Sequence, residues 1–193
     1  MKQILVSAAL LVTGAAGAAY AQSGQKLVPD FAQLQYAGSI GWMGVGAGYE
    51  FFNRRVRTHL QYGYVPPDKG GRLHLLSGAV FYQPVRIKAG ARWEINPLDI
   101  GFKASYQFGN NYFFNLPSRY PPNYYWWKPA LRMHLATESS ITRKLRRNAS
   151  IRSVSAYLEF NTNDLYLVSY VLNAGSLRVT EVVKAGLGIR VGF

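Results

Sequence analysis

Residues 182–193 read VVKAGLGIRVGF. Val183, Ala185, Leu187, Ile189, Val191 and Phe193 fall on one face, and Lys184, Gly186, Gly188, Arg190 and Gly192 on the other. This is period-two alternation, the pattern of a strand with one apolar and one polar face. A strand that carries its apolar face through to Phe193 needs a continuous surface to bury it. A closed barrel in lipid supplies one, because every backbone polar group is paired around the ring.

The same alternation recurs upstream. Ala32, Leu34 and Tyr36 alternate with Gln33 and Gln35, and a Gly-rich tight turn at residues 38–41 follows. Met43, Val45, Ala47, Tyr49 and Phe51 share the next apolar face; Val56, Thr58, Leu60, Tyr62 and Tyr64 share another. Asn53-Arg54-Arg55 lies between them as a short basic turn. Pro66 to Gly71 is a loop by composition. A less regular strand over residues 72–82 sets Arg72 and His74 on one face. Residues 83–97 read mainly as a long connection bounded by Pro84 and Pro97, although residues 87–95 could form a strand. Clean alternation resumes from Leu98 to Phe108, from Leu131 to Glu138, and from Val154 to Phe160. Residues 143–148 form a basic turn.

The expected fold is all-β: a closed antiparallel transmembrane barrel of eight strands, with ten as the alternative. The count turns on residues 161–172. If the strand runs through them there are eight; if residues 161–164 are a hairpin turn and residues 87–95 a strand, there are ten. Eight is favoured because bacterial barrels keep an even count with both termini on the periplasmic side.

Lys2, the apolar run Ile4 to Val12 and the small-x-small site Ala19-Tyr20-Ala21 read as a secretory signal peptide, residues 1–21, with cleavage expected before Gln22. Residues 22–193 then form the barrel domain. The chain has 22 basic against 9 acidic residues and no Cys, so neither disulfides nor thiolate metal sites are available. Such a charge often marks nucleic-acid binding. For an exported chain the expected counter-ions are instead lipopolysaccharide phosphates and anionic headgroups. No nucleic acid, metal or cofactor is expected.

The C-terminal strand ending in Phe193, with Val191 and Ile189 on the same face, resembles that of bacterial outer-membrane β-barrel proteins. That resemblance implies an outer-membrane address and recognition of these three residues by the barrel-assembly machinery. Arg119 to Trp127 (RYPPNYYWW) and Glu159 to Tyr170 (EFNTNDLYLVSY) resemble uncharacterised outer-membrane barrels of Bacteroidota, over most of residues 34–193. That likeness implies no particular activity.

The expected lumen-facing set is Glu50, Arg57, His59, Arg72, His74, Asp99, Lys103, Arg132, His134, Glu138, Glu159, Lys184 and Arg190. In an eight-stranded barrel the side chains fill the interior, so these charges must pair with one another. The best catalytic candidates are His134, Glu138 and Ser140, same-parity residues that could supply base, orienting carboxylate and nucleophile. They would fit a lipid A or phospholipid acyl-chain enzyme. A partner surface is expected at Arg119, Tyr120, Tyr124, Tyr125, Trp126 and Trp127, where Tyr-rich, Pro-stiffened chain offers contact area at low entropic cost; Tyr125, Trp126 and Trp127 also suit an interfacial belt. The leading expectation is a non-enzymatic structural or interaction barrel, an accessory subunit of a larger outer-membrane complex. A small-solute channel, the third reading, needs ten strands.

Overall fold

The computed structural model describes residues 28–69, 71–109, 112, 130–145, 150–173 and 175–193. Among them are nine strands: β1 Phe31–Ala37, β2 Met43–Phe51, β3 Val56–Val65, β4 Leu73–Tyr82, β5 Ile87–Ala89, β6 Trp93–Phe108, β7 Leu131–Lys144, β8 Ser153–Asn163 and β9 Lys184–Gly192. Two helices, α1 Asp164–Leu172 and α2 Val179–Val182, connect β8 to β9. The expected signal peptide and the six expected partner-binding residues at 119–127 lie outside the described residues, as do residues 146–149.

Every strand pairs antiparallel with its neighbours, and β1 closes against β9 through registers such as Leu34↔Ile189. The short β5 pairs with β6 alone, while β4 pairs with β6 from His74↔Phe108 to Tyr82↔Ile100. The wall is therefore a closed eight-stranded antiparallel barrel with β5 as a hairpin extension. Following paired residues around it gives its shear. From Ala32 the row runs through Ala47, Leu60, Gly78 and Ala104 to Met133. In the other direction it runs through Val191 and Val154 to Arg143, ten residues further along β7. Eight strands with a ten-residue stagger tilt about 40° from the axis and enclose a backbone radius of about 8 Å. Side chains alone can fill that space.

Faces follow the alternation, with the polarity of a water-soluble protein reversed. Leu34, Val45, Leu60, Val80, Phe102, Leu135, Leu158 and Ile189, one from each wall strand, point outward and are exposed. Gln33, Gln61, Ser77, Asp99, Glu138, Glu159 and Arg190 point inward and are buried.

Five local expectations are corrected. Arg72 and His74 do not face the lumen: β4 buries Leu75, Ser77, Ala79 and Phe81, and His74 is paired with outward-facing Tyr64 and contacts the Tyr62 hydroxyl. Apolar residues on both faces of β4 hide its parity in the sequence. Residues 83–97 are not mainly a connection, because β6 begins at Trp93 and passes through Pro97. Pro has no N–H for a ladder and is tolerated at a bulge; here the register shifts between Asn96 and Asp99, so Pro97 and Leu98 face Ser139 alone. Residues 164–172 are neither a continued strand nor part of a hairpin, but helix α1. Its N-cap is Asn163, whose side chain accepts from the Tyr166 N–H at 2.8 Å. Finally, Arg143 and Lys144 belong to β7 rather than to a turn, and the last strand begins at Lys184, with Val182 closing α2.

The bulge frees the Pro97 carbonyl from the ladder, and the outward-facing Ser139 hydroxyl donates to it at 2.6 Å. Ser139→Ala is expected to cost about 1 kcal/mol, read as a lower urea midpoint for the barrel in vesicles; Ser139→Thr should retain the bond.

Candidate functional site

The lumen is where the alternation gathers polar chemistry among the described residues. Alternate residues of β3, β6, β7, β8 and β9 bring Arg57, Asp99, Lys103, Glu138, Glu159 and Arg190 inside, each nearly or fully buried. These three cations and three anions balance. Glu138 lies at the centre: both Arg190 terminal nitrogens donate to its carboxylate at 2.9 and 3.1 Å, and Arg57 Nη2 stands 2.9 Å from it. Arg57 Nη1 also reaches Asp99 at 3.3 Å, and Gln83 donates to the same Asp99 oxygen at 2.9 Å. Aromatic faces take the remaining guanidinium surface, with Arg57 over Phe81 at 5.0 Å and Arg190 over Tyr157 at 4.6 Å. Towards the opposite end, Lys103 Nζ sits 2.8 and 2.9 Å from the two Glu159 oxygens, and Oε1 also accepts from Asn161 and Ser39.

This is a plug of paired charges. It meets the condition that makes buried charge tolerable, since each carboxylate is both ion-paired and hydrogen-bonded. The turn between β1 and β2 adds a lid: the 3-10 turn Gly38–Ile40 folds Ile40 inward until it is fully buried. Inward Gly44 and Gly63 leave the room it occupies.

His134, Glu138 and Ser140 all face the lumen on β7, as their shared parity requires, but they do not converge. Residues four and six apart on one strand are separated by about 13 and 20 Å. Glu138 is held by arginines, Ser140 accepts from Asn96 at 3.2 Å, and His134 Nε2 lies 2.8 Å from Ser105 Oγ on β6. The Ser–His contact that does form thus uses a serine the sequence reading passed over. Its only signal was the shared inward parity of Ser105 and His134. No carboxylate orients this histidine among the described residues, where His134 Nδ1 has no hydrogen-bond partner. Among the described residues there is also no group of three or more His, Cys, Asp or Glu side chains arranged to hold a metal.

A second cluster lies at the end of the barrel where the described chain begins and ends. Glu94, buried on β6, receives Lys144 Nζ at 2.7 Å, Arg86 Nε at 3.2 Å and Arg54 Nη2 at 3.5 Å. Arg54 and Lys144 come from the two basic segments noted in the sequence. The carboxylate between them was missed because β6 was expected to start beyond Pro97. Phe193, Val191 and Ile189 sit on β9 and its terminus; Ile189 and Phe193 are outward and exposed, and the Phe193 N–H donates to the Asp30 carbonyl at 2.9 Å.

No protein-family model matches this chain, and no curated protein matches it. Among solved structures, the chain is similar to the crystal structure of neisserial surface protein A, with 14% sequence identity and a TM-score of 0.43, over 84% of this chain and 95% of that one.

Proposed function

We propose that the chain is an integral β-barrel of the bacterial outer membrane with a non-enzymatic structural or interaction role, serving as an accessory subunit of a larger outer-membrane complex. The observation that carries this reading is the reversal of faces: an apolar exposed wall around a lumen packed with matched charges. The outward run of β9 from Ala185 to Phe193 rises about 20 Å at the barrel tilt, close to the ~25 Å apolar band of outer-membrane barrels. Such a wall is stable against acyl chains and prone to aggregate in water. A solute channel would need a wider barrel, and this wall closes around its own side chains.

In this reading residues 1–21 direct export, Phe193, Val191 and Ile189 engage the barrel-assembly machinery, and both termini lie on the periplasmic side. The surplus basic residues at that end, Arg54, Arg55, Arg86, Arg143 and Lys144 among them, face anionic inner-leaflet headgroups, with lipopolysaccharide at the other end. Arg119, Tyr120, Tyr124, Tyr125, Trp126 and Trp127 supply the partner contact.

The test is purification from native outer membranes in mild detergent, with mass spectrometry of whatever co-purifies. A stoichiometric membrane-protein partner, lost in a Tyr124→Ala/Tyr125→Ala variant that still folds, is the expected result. The alternative, an acyl-chain-modifying enzyme, draws on the Ser105–His134 contact. A barrel recovered alone, together with lipid A or phospholipid acylation altered by Ser105→Ala, would replace the subunit reading with that one.

A further inference from the structure

Helix α1 repeats the barrel's reversal in helical form. Its sequence, DLYLVSYVL, carries one charge, at its first residue, and the next charged residue in the chain is Arg178. At 100° per residue, Leu167, Val168, Val171 and Leu172 form one stripe, and Tyr166, Ser169 and Tyr170 form the opposite one. A helix on a water-soluble protein turns its aliphatic stripe towards the core. Here Leu167, Val168, Val171 and Leu172 are exposed by 40%, 38%, 68% and 76%, whereas Tyr166, Ser169 and Tyr170 are partly covered.

The rotation of the helix is held by three contacts. Asn163 caps its first turn, Asp164 lies 3.9 Å from Arg132 of β7, and the Tyr166 ring lies under Lys184 Nζ of β9 at 5.3 Å. The polar and aromatic stripe is thereby set against the barrel rim and the aliphatic stripe away from it. The helix also begins directly above the exposed wall, four residues after Phe160 of β8 and beside the strand that carries Leu187.

We infer that α1 is an interfacial helix whose aliphatic stripe enters the acyl chains of the bilayer leaflet at the end of the barrel opposite the termini. This inference rests on the reading of the barrel as membrane-embedded. Four branched aliphatic side chains without a hydrogen-bonding group match acyl chains. Protein-binding hot spots are enriched instead in Trp, Tyr and Arg, and the tyrosines of this helix are on its covered side. The stripe is also continuous with the exposed wall of β8 and β9, so one apolar phase covers both. Interfacial helices sit about 5–10 Å into the headgroup and acyl boundary.

The chain contains no Cys, so single spin labels can be placed without background. Labels at Leu167→Cys, Val168→Cys, Ser169→Cys, Val171→Cys and Leu172→Cys would be compared with Leu187→Cys on the wall and Lys69→Cys in the exposed β3–β4 loop, in phosphatidylcholine–phosphatidylglycerol vesicles. Collision with oxygen relative to a water-soluble nickel chelate should be high at positions 167, 168, 171 and 172, as at 187. It should be low at 69 and should dip at 169. A wall label reporting lipid while the helix labels report water would overturn the inference and leave the barrel reading intact. Low collision with both reagents along the helix would mean that protein covers it, and would overturn the inference equally. Water at Leu187→Cys itself would instead remove the membrane-embedded reading on which the inference stands.

Discussion

Glu138→Ala is expected to cost about 3–5 kcal/mol, the usual consequence of stripping one partner from a buried ion pair. Arg190 would keep only its hydrogen bond to Gln33 at 3.3 Å and its contacts with the Phe31 and Tyr157 rings. Arg57 would keep Asp99 at 3.3 Å. Among the described residues, Asp99 would then be the one carboxylate left in ion-pair contact with either guanidinium, through Arg57. Urea unfolding in vesicles, followed by tryptophan fluorescence, should show the midpoint fall steeply. Removing both partners should hurt less than removing one, since a matched pair can be replaced by apolar groups at little cost. Glu138→Leu combined with Arg190→Met should therefore lose less than the sum of the single variants. An unchanged midpoint in Glu138→Ala would mean that water solvates these arginines, and the packed-plug account would be wrong.

The second large effect is steric. An added Cβ on Gly63 would meet the Ile40 carbonyl oxygen and lie 2.6 Å from Ile40 Cγ1. Rotating a side chain cannot relieve contact with a backbone oxygen, so the β1–β2 turn would have to lift out of the lumen. Overpacking typically costs about 1–3 kcal/mol, and expulsion of fully buried Ile40 would add the transfer of that side chain to solvent, about 1.5–3 kcal/mol. Gly63→Val should accordingly unfold at markedly lower urea than the parent. The diagnostic comparison is Gly63→Ala with Ile40→Ala, which removes the Cγ1 contact and the packing that pins the turn, so that the carbonyl at position 40 can shift away at less cost. Strictly additive losses in that pair would separate the two residues and remove the lid from the account.

Much of the wall was legible because one residue in two decides which phase it meets. In β1, β2, β3 and β9 the inward residues are polar or Gly, Phe31 and Val65 excepted, and the outward ones apolar, Thr58 excepted, so the parity can be read directly. In β4 it cannot, because Leu75, Ala79 and Phe81 inside and Leu76, Val80 and Tyr82 outside are equally apolar; there His74 was assigned to the wrong face. Pro97 obscured the start of β6 because a bulge that accommodates proline depends on the opposite strand, here Ser139. Residues 164–172 are rich in Leu, Val and Tyr, which suit a strand, and their helical stripe pattern becomes evident only once Asn163 is recognised as a cap.

The candidate site was legible as an inventory and not as an arrangement. Parity placed His134, Glu138 and Ser140 on one face, and so they are. A strand spaces such residues along its length, however, and their partners come from strands distant in sequence: Ser105 for His134, Asn96 for Ser140, Arg57 and Arg190 for Glu138.

Period-two hydrophobicity by itself determined that this chain forms an antiparallel barrel with a polar interior and an apolar wall, because alternation is a local property of each strand. Tertiary structure alone decided the strand count, the ten-residue stagger, the centring of the charge network on Glu138 and the outward stripe of α1. Each of these depends on register and closure, and register is set by which residues meet across neighbouring strands, 157 positions apart for Gln33 and Arg190.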